Sequence, residues 1–358
     1  MACNIPLNSD GDRMPSVVIT GAAGFIYSHV ARHFVEQGWD VTIADHFDMQ
    51  SKGKNLVDIL PRVQLLIGDL TIGALADRCA AIQADYLVHA AAYTHVDDAI
   101  IDPERFMLNN TLGTTRLLQA LWQQQTQTGV LPRKILIVST DEVYGPTPPG
   151  VFFDEDTPYA PSNAYAASKV GVEAIAQAFW RTHRFPLMIV RPCNTYGPGQ
   201  FPNKVIPKFI GQIFRHEPIT LYNDGQGSRD WLHVTDHARA VQTVLEHGLA
   251  GEAYNLGAGE EHTDIDLCTR ILAQLEIMGL SAASVPATYV PGRPGHDRRY
   301  AMDCRKIRRL GWAPMVEFTQ GFAETVAWNA RHQAWWDTDG VHLTEDSVRY
   351  SAAGAPDE

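Results

Sequence analysis

Six short, largely apolar runs occupy residues 16–20, 40–44, 63–67, 85–89, 134–140 and 187–190. As a set they do not alternate strictly between polar and apolar, which marks strands covered on both faces. Between them, residues 27–37, 103–125 and 164–183 repeat apolar positions at helical period. Strand and helix in alternation predict parallel strands joined by crossover helices: an α/β fold with a doubly wound (Rossmann) sheet of at least six strands. Ligands of such sheets bind beyond the carboxyl ends of the strands.

The pattern breaks at Arg191-Pro192-Cys193-Asn194-Thr195-Tyr196-Gly197-Pro198-Gly199, a Pro- and Gly-punctuated segment. A smaller C-terminal lobe is predicted to begin there. Residues 234–246 and 253–256 read as one more helix and strand returning to the sheet. The expected division is 15–190 plus about 232–257 for the sheet domain and 191–231 plus 258–330 for the lobe. Polar, small-residue tails cover 1–14 and 337–358.

Composition narrows the function. A formal net charge of −12 argues against nucleic acid as a partner, since phosphates demand a basic surface. No stretch approaches the roughly 18 consecutive apolar residues of a membrane span, and no apolar signal core opens the chain, so a cytoplasmic protein is expected. The five cysteines are scattered without a Cys-x-x-Cys pair and suggest neither a disulfide framework nor a metal site. An anionic small molecule remains compatible with this charge. Arg293, Arg298 and Arg299 around His296 form the local basic cluster, which composition alone explains equally well as a solvated loop.

Directly after the first apolar run comes Gly21-Ala22-Ala23-Gly24-Phe25-Ile26, opening a helix. Glycines there let backbone approach a pyrophosphate, and a helix N-terminus offers it free N–H groups. Asp45 ends the second run at the spacing where a carboxylate holds an adenosine ribose and repels a 2′-phosphate, which favours NAD over NADP. Asp69-Leu70 and His89-Ala90-Ala91 end the third and fourth runs at the ligand edge, with Asp69 a candidate for the adenine amino group. Ordinary strand-end turns would read the same way.

The fifth run leads into Ser139-Thr140-Asp141-Glu142-Val143-Tyr144-Gly145, and Tyr165 and Lys169 stand four apart on the following helix. That spacing shares one helix face, where a lysine ammonium can lower a phenol's pKa and make it a base toward a hydroxyl. Asp141 and Glu142 exceed what oxidation needs. An adjacent acid and base can protonate a leaving hydroxyl and abstract the proton β to it, which is an elimination.

A Tyr-x-x-x-Lys behind a strand ending in Ser-Thr, with a glycine-rich first turn, resembles the extended short-chain dehydrogenase/reductase family. Ser139 to Gly145, Tyr165-Ala166-Ala167-Ser168-Lys169 and the later segments 194–204, 227–231, 254–257 and 294–300 narrow the resemblance to its dTDP-glucose 4,6-dehydratases. The resemblance implies that Thr140 and Tyr165 oxidise the C4 hydroxyl of a nucleotide-diphosphate sugar with NAD as hydride acceptor. It implies that Glu142 removes the C5 proton, that Asp141 protonates the departing C6 hydroxyl, and that the hydride returns to C6. Gly21, Gly24, Phe25, Ile26, Asp45, Asp69, Leu70, Ala90, Ala91, Tyr165 and Lys169 would then hold the cofactor. His95, Asn194, Lys204, Arg229, Asn255, Arg293, His296 and Tyr300 would hold the substrate, and a homodimer would pair the helices at 103–125 and 164–183.

Three positions depart from that pattern. Tyr27 stands at the third glycine of Gly-x-x-Gly-x-x-Gly, where a side chain crowds the strand or the cofactor unless it points outward. Tyr93 and Asp98 flank the loop Tyr93-Thr94-His95-Val96-Asp97-Asp98, where the family usually carries Glu-Ser-His-Val-Asp-Arg. A dehydratase of another nucleotide sugar, a 4-epimerase without the acid/base pair, and a non-catalytic NAD-binding regulator are the competing readings, and Asp141 with Glu142 separates them.

Overall fold

In this computed structural model the described residues are 14–47, 53–280, 286–292, 295 and 297–336. The first half runs β1 (Ser16–Thr20), α1 (Phe25–Glu36), β2 (Asp40–Asp45), β3 (Val63–Ile67), α2 (Ala74–Ala81), β4 (Tyr86–His89), α3 (Val96–Ile101), α4 (Pro103–Phe106), α5 (Gly113–Thr128), β5 (Lys134–Val138), α6 (Ala164–His183) and β6 (Leu187–Pro192). The second half runs β7 (Asn194–Tyr196), α7 (Val205–Phe214), β8 (Ile219–Tyr222), β9 (Ser228–His233), α8 (Val234–His247), β10 (Ala253–Leu256), β11 (Glu261–Thr263), α9 (Asp264–Ile277), β12 (Ala287–Val290), α10 (Arg305–Arg308) and α11 (Phe318–Arg331).

Seven strands form a parallel sheet in the order β10-β6-β5-β4-β1-β2-β3, so all six predicted strands and the returning 253–256 segment are present. Alternate residues serve opposite faces. Val17 and Ile19 of β1 and Val88 of β4 pack with Val30 and Phe34 of α1 and Val241 and Leu245 of α8. Val18 and Leu87 face the other way, onto Leu75, Leu117, Leu118 and Val172 of α2, α5 and α6. Burial on both faces explains why these strands read as apolar runs.

The chain order reverses at β1, which pairs with β2 on one side and β4 on the other. A hydrogen-bonded string locks this point: Thr20 Oγ1 lies 2.7 Å from His89 Nδ1, and His89 Nε2 lies 2.8 Å from Thr114 Oγ1. Beyond the carboxyl ends of the sheet, β11-β9-β7 and β12-β8 form two small sheets. With α7, α9 and α11 they enclose a separate apolar cluster around Tyr196, Phe209, Ile271, Phe318 and Phe322.

Two boundaries differ from expectation for identifiable reasons. The helix expected over 103–125 is interrupted by a wide π turn, Met107–Leu112. That turn swings Asn110 inward, where its amide accepts from Tyr93 N at 2.8 Å and donates to Tyr93 O at 3.0 Å and Ser168 Oγ at 2.8 Å. Such turns commonly mark functional sites, and this one stitches the loop after β4 to α6. Strand β5 stops at Val138, which releases Ser139 and Thr140 into the cleft beyond it.

Beneath that cleft lies a buried ion pair, Arg191 of β6 with Glu173 of α6, their side chains 3% and 0% exposed. Arg191 Nη2 donates to Glu173 Oε2 at 2.7 Å, Nε to Oε1 at 3.0 Å, and Nη1 to the Glu155 carbonyl at 3.0 Å. Nη1 also donates to the Tyr144 hydroxyl, which in turn donates to Asn255 Oδ1 at 2.8 Å. The pair thus joins β6, α6, the turn after β5 and β10. Glu173→Gln, which strands the guanidinium, is expected to cost about 3–5 kcal/mol in urea unfolding. An unchanged midpoint would contradict this account of the junction.

Candidate active site

The glycine turn is dictated by contact. Gly21 has φ +74°, and a Cβ there would lie 2.7 Å from the Ala91 Cα, so no side chain fits where β1 and β4 part. Gly24 caps α1, whose first N–H groups have no acceptor within the helix. Asp45, buried at the end of β2, braces the turn: Ala23 N donates to its Oδ2 at 2.9 Å and Phe47 N to its Oδ1 at 3.0 Å. Asn55, absent from the sequence reading, holds the same turn from beyond, donating to Ala23 O at 2.7 Å.

Gly21, Gly24, Asp45 and Ala91 line one end of a cleft of about 310 Å³. Gly21, Gly24, Phe25, Ile26, Asp45, Asp69, Leu70, Ala90, Ala91, Tyr165 and Lys169, the whole set expected around a dinucleotide, all face it. Asp69 also serves locally, accepting from Thr71 N at 2.6 Å. A dinucleotide suits this end: side-chain-free backbone, a helix N-terminus for the diphosphate, and a carboxylate at the end of β2 for a ribose.

At the other end, Thr140, Asp141 and Glu142 follow β5 on a short turn, with Glu142 N donating to Thr140 Oγ1 at 3.3 Å. Tyr165 and Lys169 face them from α6. Asn163 links the two elements, as its Oδ1 caps α6 through Ala166 N at 2.9 Å while its Nδ2 donates to Glu142 Oε2 at 3.0 Å. An asparagine directly before a helical run is a capping signal that could have singled it out. Gly145, at φ +71°, is forced by the Ala160 carbonyl, 2.2 Å from where a Cβ would stand.

Burial, then the neighbouring Glu142, raises the Asp141 carboxyl to about 8, so it holds its proton at neutral pH. Tyr165 does not follow the expected route. Burial and then Glu142 push its phenol upward against the Thr140 hydroxyl, and the Lys169 ammonium is turned onto the Val138 carbonyl at 2.5 Å. Burial also lowers Lys169 to about 8.

The expected substrate residues divide. Asn194 and Lys204 line the cleft. Arg229 lies over the Tyr300 ring at 4.5 Å, with Nη1 donating to the Ser228 and Arg298 carbonyls and Nη2 to that of Asp297. Tyr300 donates its hydroxyl to Asp297 Oδ2 at 2.7 Å. Neither lines the cleft, although the Arg229 charge pulls against the rise in Asp141 and Glu142 acts on Tyr300. His95 faces Asp97 and Asp98 instead of the cleft, its Nδ1 3.1 Å from Asp98 Oδ1. Asn255 is the clear correction: it is fully buried away from the cleft, its amide occupied by Tyr144, Phe153 and Asp303, so it binds the lobe to the sheet. Arg293 and His296 lie outside the described residues.

Tyr27 does not point outward either. It is buried on the cleft wall beside His237 and Thr195, neither of which the sequence reading singled out. Tyr93 also lines the cleft, with the Arg105 guanidinium 4.2 Å above its ring.

The model of the NAD dependent epimerase/dehydratase family matches residues 17–257. Among curated relatives, a dTDP-glucose 4,6-dehydratase of Streptomyces niveus is 38% identical over 330 residues, covering 90% of this chain and 94% of the relative. One of Neisseria gonorrhoeae is 39% identical over 328 residues, covering 87% and 95%. Among solved structures, the dTDP-glucose 4,6-dehydratase DesIV of Streptomyces venezuelae, with NAD bound, superposes at TM-score 0.82 with 37% identity, over 90% of this chain and 99% of its own. A Thermus thermophilus UDP-glucose 4-epimerase in complex with NAD superposes at 0.79 with 28% identity, over 88% and 99%. Matched along nearly all of its described length, this chain belongs to the NAD dependent epimerase/dehydratase family.

Proposed function

We propose that this chain is an NAD-dependent nucleotide-sugar 4,6-dehydratase acting on dTDP-glucose. The observation that carries the reading is the carboxyl pair: Asp141, protonated by burial, beside Glu142, held by Asn163, opposite Tyr165. The curated relatives of that activity support the nucleotide and the sugar.

NAD, when bound, supplies the acceptor and later the donor of a hydride. Gly21, Gly24, Phe25 and Ile26 would hold its diphosphate, Asp45 a ribose, and Asp69 with Leu70 the adenine. Thr140 orients the sugar's C4 hydroxyl and Tyr165 takes its proton as C4 is oxidised. The resulting ketone acidifies the proton on C5. Glu142 removes that proton, and Asp141 gives its own to the C6 hydroxyl, which leaves as water. Two carboxyls of one composition divide the acid and base roles because burial falls unequally on them. Asn194, Lys204, Arg229 and Tyr300 border the nucleotide-diphosphate side, where arginine's planar fork suits phosphate oxygens.

Among the described residues no helix is long and apolar enough to cross a membrane. We place the enzyme in the cytoplasm, consistent with the free, buried thiols of Cys79, Cys193, Cys268 and Cys304. It is a homodimer in this reading, joined through the surface of residues 103–125, which include α4, the π turn and most of α5, and of α6. Exposed Met107, Leu108 and Trp122 support that surface.

With dTDP-glucose, Glu142→Gln and Asp141→Asn are each expected to lower formation of the 4-keto-6-deoxy product by about 10²–10⁴-fold while NAD still binds. Mass spectrometry reads this as loss of one water. A 4-epimerase would keep its activity in Glu142→Gln and lose no water with the wild type. The pH profile is a second check. Asp141 donates only while protonated, so kcat/KM should fall as pH rises through about 8. A rate still climbing well above that pH would remove Asp141 as the acid. Leu108→Glu with Trp122→Glu should convert the dimer to monomer in light scattering; a wild type that already runs as a monomer refutes the assembly.

A further inference from the structure

The cleft wall beside the glycine turn is built from two stretches of chain far apart in sequence. Phe25 opens α1, while Gln200, Phe201 and Lys204 stand on the loop 199–204 between β7 and α7. Behind them lies a gap of about 10 Å³, far too small for a ligand. Phe25 and Phe201 line both the gap and the cleft, so they form the partition between the two. The back of the gap is closed by Trp335, on the short turn Gln333–Trp336 that follows α11.

Three neighbours fix the indole there. Its Nε1 donates to the Gly199 carbonyl at 3.3 Å, and the ring lies against the bare glycine, where a Cβ would stand 3.5 Å from Cζ2. The Lys54 ammonium, on the turn Gly53–Asn55 between β2 and β3, sits 4.4 Å from the ring centre and donates to the Trp335 carbonyl. Trp328 of α11 meets the indole edge to face, 5.3 Å apart at 80°. Helix α11 belongs to the core of the smaller lobe through Phe318, Phe322 and Val326. Asn55, next to Lys54, donates to the Ala23 carbonyl inside the glycine turn. Trp335 is therefore rooted in the lobe, bonded to the loop by its N–H, and tied to the dinucleotide turn by a cation.

The proposed reaction gives this clasp a use. A hydride taken from C4 is returned to the same sugar at C6, so the cofactor has to stay in place throughout the turnover. A wall made of two separate segments retains a ligand only as well as the segments are held together. We propose that Trp335 is a positioning residue for the cofactor: clasped between Gly199 and Lys54, it holds the loop 199–204 against the glycine turn and slows departure of the dinucleotide. The inference rests on the cofactor reading above and adds to it a residue outside the cleft that keeps the cleft closed.

The test makes two measurements on the full chain: release of labelled NAD from the loaded protein into excess unlabelled NAD, and amide hydrogen exchange of residues 199–204 without nucleotide. Trp335→Ala should speed both about tenfold, the scale expected when ordered side chains of a binding wall are freed. Trp335→Phe, which keeps a ring for Lys54 and Gly199 but has no N–H, should fall between. Lys54→Met should speed both in the wild-type background and neither in Trp335→Ala, because coupled residues are not additive. A tryptophan that only stabilised the fold would lower the melting temperature and leave release unchanged well below it. NAD release at the wild-type rate in Trp335→Ala, or a Lys54→Met effect of full size without the indole, would overturn the proposal. If Trp335→Ala melts early, Lys54→Met decides: exchange at 199–204 has to rise, and unchanged exchange would overturn the clasp. A wild type that retains no NAD would overturn the cofactor reading itself, with the exchange measurement unaffected.

Discussion

One close approach governs this molecule: the backbone of Gly21 against that of Ala91, where β1 and β4 end side by side and the chain order of the sheet reverses. A Cβ on Gly21 would lie 2.7 Å from Ala91. Because no atom intervenes, the first turn and the loop after β4 diverge from a single point, and the cleft opens between them. The Thr20-His89-Thr114 string holds the strand ends in register at that point. His89, neutral because burial lowers it to about 3, contributes hydrogen bonds without charge. The titratable residue at the ligand edge of β4 is therefore architectural, and the chemistry falls to the next strand over.

That chemistry depends on unequal burial. Asp141 and Glu142 are neighbours in sequence, yet the short turn after β5 buries the first and leaves the second within reach of Asn163. Two adjacent carboxylates in a dry cleft would repel; protonating one removes the repulsion and creates the acid at the same moment. The Tyr165 phenol shows the same balance from the other side. Burial and the Glu142 charge raise it while the Thr140 hydroxyl pulls the other way, and only its ionised form can take the substrate's proton.

How much of this the sequence revealed follows a physical divide. Fully buried strands leave an unmistakable apolar trace, and a glycine forced by backbone contact leaves a glycine, so the sheet and the residues around the dinucleotide end were legible. Side-chain direction was not. Asn255 looked available in the run 254–257, but its place on β10 turns it under the cleft, where Tyr144, Phe153 and Asp303 use every amide contact. His95 sits on a loop whose own aspartates claim it. Asn110 and His237 act only because a π turn and the packing of α8 against α1 bring them to places far from them in sequence, which no local pattern records.

The buried Arg191 network explains why the catalytic turn can be both strained by charge and fixed in place. Tyr144 closes the turn that carries Asp141 and Glu142, and its hydroxyl accepts from Arg191 and donates to Asn255. Through those bonds the turn is tied at once to β6, to α6 through Glu173, and to β10. The carboxyl pair above it gains nothing for stability, since burying Asp141 opposes its ionisation. A turn held only by its own short hydrogen bonds could relieve that cost by moving Asp141 toward water. With the base of the turn anchored to three elements, relaxation would have to break a buried ion pair, so the proton stays on Asp141 instead and the acid is preorganised.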